Sequence, residues 1–532
     1  MSFRRSSVIA VLISFILLTS CSPSSKTFDL VIRGGIIVDG SGNPWFKADI
    51  AIKDRLIRRI GRIADARAKR TIGAQGLIVS PGFIDIHTHC DRGILRVPTV
   101  DNYIHQGVTT VIGGNCGGHP FPLKDFFQKL RKKGISPNFG CLVGHNTIRR
   151  EVMGYKMEQP TAEEMARMKS LVEEEMKAGG LGFSTGLSYL PGIYSTTEEL
   201  VELASAAARY GGIYATHLRD QGQHITEAIE EAIEIGEKNN MPVQISHIKL
   251  AHDAVWHEKW RITEAVEKAR ERGVEVTIDQ YPYTATSSGF TSSLPSWAFE
   301  GGKEKFLERL KDRKTYEKIK AYVIKRRLTS FRGIDKTETI YIARCSRAAE
   351  YEGKNLKEIL ISRGLEPSVD NAADLIIEIE KEGGASGVFF QMDERDVEEL
   401  MRLPYNMHAS DGSVQVLNRG VPHPRNYGTF PRVLGLYVRQ KKVISLQDAV
   451  RKMTSLPAQT LRLERRGILR EGMYADITIF NPQTVRDMAT YKKPHQYNQG
   501  IEYVIVNGVI VLDKGLHTGK LPGMILYGKA KK

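Results

Sequence analysis

At 532 residues the chain has room for three or four units of roughly 150 residues each, or for one large barrel with additions. An apolar content of 41%, a charged content of 26% and aromatics at 8% describe a globular chain, and exclude the disordered, collagen-like and multi-spanning membrane classes. The net charge of +15 attracts anions, but the basic residues are dispersed and form no nucleic-acid-binding motif, so no nucleic-acid partner is expected.

In chain order, Arg4 and Arg5 precede an apolar run from Val8 to Leu18. Its eleven residues fall short of the roughly 20 that cross a bilayer, but they suit the core of a secretory signal. Leu18-Thr19-Ser20-Cys21 resembles a bacterial lipobox, whose cysteine is lipidated and becomes the new N-terminus. The expectation is a signal peptide over 1–20, a polar tether over 21–28, and an exported lipoprotein facing the periplasm or cell surface, held to the membrane only through Cys21. The other cysteines are Cys90, Cys116, Cys141 and Cys345, enough for two disulfides in an oxidising compartment. Cys116 sits at a glycine-rich strand end, which suits another task, whereas Cys90, Cys141 and Cys345 read as inert packing.

Residues 29–80 consist of short alternating strands punctuated by Gly and Asp, and residues 463–532 (YADITIF, IEYVIVNGVIVL) share that texture. They predict one small β-sandwich built from both termini, with a domain over 81–462 inserted into it. That middle alternates strand and helix. Eight strands are expected at FIDIH (83–87), TTVIGG (109–114), NFGCLVGH (138–145), GFSTG (182–186), IYATH (213–217), VQISH (243–247), EVTIDQYPY (275–283) and YNMHAS (405–410). Helix ends are legible between them: Thr161 to Glu164 forms a capping box closed by Gly179, and Ser195 to Glu198 repeats the pattern. The fold class expected is α/β, a (β/α)8 TIM-like barrel. The connection from Thr284 to Pro404 is far longer than the others and predicts an inserted region over about 297–390. Its segment 303–327 holds eleven Lys or Arg and four Asp or Glu, which reads as a solvated helix face or, on its inner side, a lid over the barrel mouth.

Barrel enzymes build their sites at the C-terminal ends of the strands. His87 and His89 end the first strand, Cys116 follows the second, His217 ends the fifth, His247 the sixth, and Asp411 follows the eighth. Side chains two apart on a strand share a face, so His-x-His presents two imidazoles to one metal. Nitrogen and thiolate donors favour zinc. Gly113, Gly114, Gly117 and Gly118 around Cys116 let the backbone bring its sulfur close to a partner. Other histidines, among them His105, His119, His145, His224, His252, His257 and His408, read as structural.

The motifs PGFIDIHTHCD (81–91), GGNCGG (113–118), GLSYLPG (186–192), YATHLRD (214–220), QISHIK (244–249), DQYPYTA (279–285), ASDG (409–412) and HPRNYGTFPRVLG (423–435) resemble those of the amidohydrolase superfamily, and within it the N-acyl-D-amino-acid deacylases. The resemblance implies a tightly bound Zn2+ on Cys116, His217 and His247, and a second, weaker position on His87 and His89 that shares the cysteine. It implies Asp411 as catalytic acid and base, with a zinc-activated water as nucleophile. Many amidohydrolases bridge two metals with a carbamylated lysine on the fourth strand. GFSTG has none, so the Cys116 thiolate takes that place, and hydantoinase-like cyclic substrates are disfavoured.

The implied substrate is a small molecule, an N-acyl-D-amino acid or a dipeptide with a D residue. Arg425 and Lys249 are expected at its α-carboxylate, with Tyr281, Ser287 and Tyr189 alongside. Relatives selective for acidic D residues carry a further arginine a few positions beyond Ser287, where this chain reads SGFTSSLPSW, so a neutral or apolar D side chain is expected. The alternatives are an amidase such as a dipeptidase releasing D residues, or a non-catalytic binding lipoprotein, which the retention of all six site residues disfavours. The sequence leaves the oligomeric state open.

Overall fold

A computed structural model describes residues 27–64 and 67–531. The expected signal peptide, lipobox and most of the tether therefore lie outside the described residues. The eight barrel strands fall where the alternation places them: β1 (Phe83–Asp85), β2 (Val108–Gly113), β3 (Asn138–Cys141, continued by Val143–Gly144), β4 (Gly182–Gly186), β5 (Ile213–His217), β6 (Val243–Ile245), β7 (Val276–Gln280) and β8 (Asn406–His408). Neighbours pair in parallel. Strand parity sorts their side chains: Tyr214 of β5 packs outward among helix residues, whereas Ile213 and Ala215 join an interior cluster with Ile112 and Met407. His217 has the parity of Ile213 and Ala215, which turns it inward at the strand end.

The barrel is not hydrogen-bonded evenly. β3 breaks at Leu142, so β1–β2–β3 form one sheet, and the short Val143–Gly144 piece begins another that runs through β4 to β8. Closure between β8 and β1 happens beyond the strands, where Asp411 N donates to His87 O at 2.9 Å and Thr88 pairs with Gly412. The closing seam is therefore made by the segments that carry His87, His89 and Asp411.

Helices bury apolar stripes against the strands. The Ala162–Ala178 helix has the expected capping box from Thr161 and Glu164 and sinks Met168, Leu171, Val172 and Met176 into the core. In the Thr197–Ala208 helix the cap is Thr196, whose hydroxyl accepts from Glu199 N, one residue later than expected. Ser195 instead donates to Gly192 O, which removes it from the capping position.

Strands from both termini form one nine-stranded sheet, joined where Ile78–Pro81 pairs with Ile477–Phe480. It covers its own core of Leu30, Ile32, Ile50, Ile52, Ile477 and Ile505. Residues from 520 onward leave this sheet, contrary to the sequence expectation. They run along the free edge of β3, where Phe139 N donates to Met524 O at 2.9 Å and Leu526 N to Phe139 O at 2.8 Å. Pairing toward β4 begins only where Leu181 N donates to Cys141 O at 2.9 Å, so Phe139 has no partner on that side and the tail satisfies it.

The long connection is an inserted lobe with a sheet of Ala285–Gly289, Ser386–Phe390 and Ile340–Arg344. Its first strand precedes the expected boundary at 297, because the antiparallel partner of Ala285–Gly289 lies about a hundred residues later. The charged segment divides into helices Lys303–Arg309 and Arg313–Val323 and a π-helical turn, Ile324–Leu328. Phe306, Ile319, Val323 and Leu328 face the lobe core, while Tyr322, Arg326 and Arg327 turn toward the barrel mouth.

Candidate metal centre

The six predicted residues meet at the mouth. Cys116 Sγ lies 3.4 Å from His87 Nε2, 3.8 Å from His217 Nδ1 and 3.5 Å from His247 Nε2. Two donor triads share the sulfur, His87–His89–Cys116 and Cys116–His217–His247, and a third group joins His87, His247 and Asp411. A sulfur surrounded by three imidazole nitrogens, with His89 Nδ1 buried and unpartnered, fits a nitrogen- and thiolate-loving cation such as zinc. All four described cysteines are free, so no disulfide forms among them.

The backbone is bent to achieve this. Cys116, His247 and Asp411 have φ of 53°, 36° and 49°, a left-handed conformation that costs a non-glycine residue of order 1–3 kcal/mol. Three such residues at one site mark a geometry held by its surroundings for use. A Cβ on Gly117 would lie 1.9 Å from Asn146 Oδ1, and one on Gly114 would lie 2.1 Å from Leu142 O. Only glycine lets the Cys116 loop pack that closely.

Burial alone would push the Cys116 thiol up, yet His87 and His247 hold it well below the ordinary thiol range. Burial and Lys249 push His247 down to about 3, and burial lowers His217, so both are neutral donors at pH 7. Asp411 reaches His89 Nε2 at 3.1 Å, His87 Nε2 at 3.5 Å and Arg425 Nη1 at 2.8 Å. Against burial, Arg425 and the histidines keep its carboxyl well below the usual range.

The outer nitrogens of the imidazoles also have partners, and these sequence reasoning missed. Asp279 of β7 meets His87 Nδ1 at 3.4 Å and accepts from His247 N at 2.9 Å. Ser188 Oγ lies 2.7 Å from His217 Nε2, and the Gln221 amide 3.1 Å from His247 Nδ1. Such contacts fix ring orientation and tautomer. Asp279 and Ser188 stand inside quoted motifs, and Gln221 directly follows one, but nothing in the sequence says which ring each one meets. At the fourth strand, where a bridging lysine was excluded, Ser184 donates to Gly114 O and Thr185 to Thr216 Oγ1.

The centre opens into a cavity of about 840 Å3 that all five predicted substrate residues line. Arg425 is buried, with Nη2 donating to Ser287 O at 3.3 Å and its Cζ 4.7 Å from the Tyr281 ring centre. Buried His423 accepts from Arg425 N at 3.0 Å and helps to place it. Lys249 Nζ reaches Gln221 Oε1 at 2.8 Å and lies 5.4 Å from the same Tyr281 ring. Tyr281 Oη is buried without a partner, a donor left for a ligand. The Tyr189 ring lies 4.4 Å from that of His217.

A (β/α)8 barrel that gathers imidazoles, a thiolate and one carboxylate at the C-terminal strand ends defines the class of metal-dependent hydrolases. The chain belongs to the amidohydrolase family, whose model matches residues 70–305 and 332–512. It is 35% identical over 525 residues to a D-aminoacylase of Alcaligenes xylosoxydans xylosoxydans, covering 94% of this chain and 98% of that relative. Deacylases of N-acyl-D-glutamate and N-acyl-D-aspartate from the same organism are 32% and 33% identical, each again over 94% of this chain. Among solved structures, a D-aminoacylase superposes with a TM-score of 0.80 at 33% identity, over 94% of this chain and all of that one. The N-acyl-D-glutamate deacylase of Bordetella bronchiseptica, complexed with zinc and a phosphonate mimic of the tetrahedral intermediate, gives 0.80 at 30% with the same coverage. A D-hydantoinase at 16% identity and a TM-score of 0.56 shares the fold.

Proposed function

We propose that the protein hydrolyses the amide bond of N-acyl-D-amino acids, releasing a carboxylate and a free D-amino acid. The observation that carries this reading is a single cavity in which the Cys116–His217–His247 donor set, the Asp411 carboxylate and the buried Arg425 guanidinium stand side by side. Zinc held by Cys116, His217 and His247, with a weaker second position at His87 and His89, would polarise the amide carbonyl and lower the pKa of water from about 15.7 toward about 7.

The protein's own groups do the rest. Asp411 takes the proton of the attacking water as the carbon–oxygen bond forms, then delivers it to the amine nitrogen, which must be protonated before the carbon–nitrogen bond breaks. Arg425 and Lys249 receive the α-carboxylate, and the free Tyr281 hydroxyl donates to substrate oxygen. Tyr189 packs beside the amide and Ser287 supports Arg425 through its carbonyl. Paired D- and L-N-acyl amino acids, assayed with and without a chelator, test the reading. D-selective turnover abolished by the chelator is expected; equal turnover of the L isomers, or turnover indifferent to chelation, refutes it. Including dipeptides with a D residue in the same panel separates a deacylase from a dipeptidase.

The Arg4–Arg5 start, the apolar run and the lipobox-like Leu18-Thr19-Ser20-Cys21 support an exported, Cys21-lipidated form of this enzyme in the periplasm or at the cell surface. Labelled fatty acid should enter the native chain and not the Cys21→Ser variant. Among the described residues no helix is long and apolar enough to cross a membrane.

A further inference from the structure

The inserted lobe brings into the cavity a cation that neither the metal centre nor the α-carboxylate contacts use. Arg327, in the Ile324–Leu328 turn, is half-buried in the cavity wall. Its Nε donates to Ser293 Oγ at 3.0 Å, its Nη2 to Ser292 Oγ at 2.9 Å and Ser292 O at 3.3 Å, and its Nη1 to Gln391 Oε1 at 3.3 Å. The guanidinium carbon lies 4.8 Å from the Phe389 ring centre. Every one of these partners is neutral.

Neighbouring cavity cations differ. Arg326 pairs with Asp220 at 3.4 Å, Lys336 with Asp253 at 3.1 Å and Arg219 with Glu231 at 2.7 Å. The titratable groups that act on Arg327 are Arg326, Tyr189 and Tyr322, with no carboxylate among them, and burial pulls its pKa down to about 10. A partly desolvated cation held in one orientation without a counter-charge costs free energy that a bound anion would offset. Tyr189, which packs on His217, is also within electrostatic reach of Arg327. Arg327 thus lines the same cavity as Tyr189, Asp411 and Arg425.

We propose that Arg327 is a specificity residue that recognises a second carboxylate on the substrate, in addition to its α-carboxylate. The inference rests on the deacylase reading and names the substrate class within it. The second carboxylate belongs either to an acidic D side chain or to a dicarboxylic acyl group. It replaces the expectation of a neutral side chain, which followed from the lack of a basic residue in SGFTSSLPSW. The structure delivers a guanidinium to Ser292 and Ser293 of that stretch from later in the same lobe, about 35 positions on in the chain.

The test measures kcat/KM of the zinc-loaded full chain on N-acetyl-D-leucine, N-acetyl-D-glutamate, N-acetyl-D-aspartate and N-succinyl-D-leucine, for the native protein and for Arg327→Met, which keeps an apolar stem over Phe389. The native protein should favour at least one dicarboxylate over N-acetyl-D-leucine by about tenfold or more. Preference for the glutamate or aspartate substrate places the anion on the side chain, and preference for the succinyl substrate places it on the acyl group. Arg327→Met should shrink that ratio by a similar factor, chiefly through KM, and Arg327→Lys should restore part of it. A native preference for N-acetyl-D-leucine overturns the inference whatever the variant does, and so does a ratio that Arg327→Met leaves intact. Failure to hydrolyse any N-acyl-D-amino acid overturns the deacylase reading and this inference with it.

Discussion

Arg425 Nη1 lies 2.8 Å from Asp411 Oδ2, and both side chains are buried. The guanidinium expected to await the substrate carboxylate is already engaged with the proposed acid and base, while its Nη2 is tied to Ser287 O. One side chain therefore serves two purposes, orienting the carboxylate that moves protons and offering positive charge to the substrate.

Arg425→Ala should raise KM for an N-acyl-D-amino acid by about tenfold or more, the loss of a charge-assisted contact. It should lower kcat as well, because Asp411 loses its orienting partner. Zinc content should stay at the native level, since Arg425 is no donor. Steady-state kinetics with elemental analysis decide this, and an unchanged KM would count against carboxylate capture.

Asp411→Asn and Cys116→Ala should fail in opposite ways. The asparagine variant keeps the Cys116–His217–His247 triad intact, so it should purify with zinc yet lose kcat by about 10²–10⁴. The alanine variant removes the sulfur common to both triads and should purify with little metal. Zinc stoichiometry beside turnover separates the two roles, and substantial activity in Asp411→Asn would end the proposed proton relay.

The barrel and the six mouth residues were legible because each depends on local pattern: period-2 strands, helix caps, and donors at strand ends. Asp279, Ser188 and Gln221 were not, because a hydrogen bond to the far side of an imidazole leaves no spacing signature. The start of the lobe at Ala285 was missed because Ala285–Gly289 pairs with Ser386–Phe390, and such a distant partner cannot be read from a local window. Arg327 escaped for the same reason: the segment it contacts looked neutral by itself. The C-terminal tail has the texture of more sandwich, and its pairing with the edge of β3 at Phe139, a partner far away in the chain, leaves no local signature.

Asp279→Asn tests how far the centre depends on its outer contacts. Asp279 holds His87 through Nδ1, accepts from the backbone of His247 and from Gln244 Nε2 at 2.6 Å, and is fully buried. Losing the charge weakens the orientation of one donor ring and of the segment that carries another. Metal affinity should fall by about 10–100-fold, as is usual for outer partners of metal-binding histidines. Chelator-competition titrations of the two proteins measure it, and equal affinities would show that packing alone orients the rings.

The lobe is clasped to the barrel by a carboxylate, which gives the contact a defined pH dependence. Asp253, buried after β6, accepts from Ser330 Oγ at 2.6 Å and from Phe331 N at 3.2 Å, and pairs with Lys336 Nζ at 3.1 Å. Burial raises its pKa, but these three partners together hold it below the ordinary carboxylate value. A carboxyl lowered on folding contributes its full stability above its unfolded pKa, about 3.9, and loses it as the pH falls through the folded value. Segment 330–336 should therefore stay docked at neutral pH and loosen only in acid below about pH 4. In Asp253→Asn the segment should be loosened already at pH 7, with little further change on acidification. Hydrogen-exchange protection at Phe331 and Ile334, corrected for intrinsic exchange, reads both states. Equal protection in the two proteins at pH 7 would mean that Arg332, whose Nε donates to Asp253 O at 2.7 Å, holds the lobe through the backbone without help from the charge.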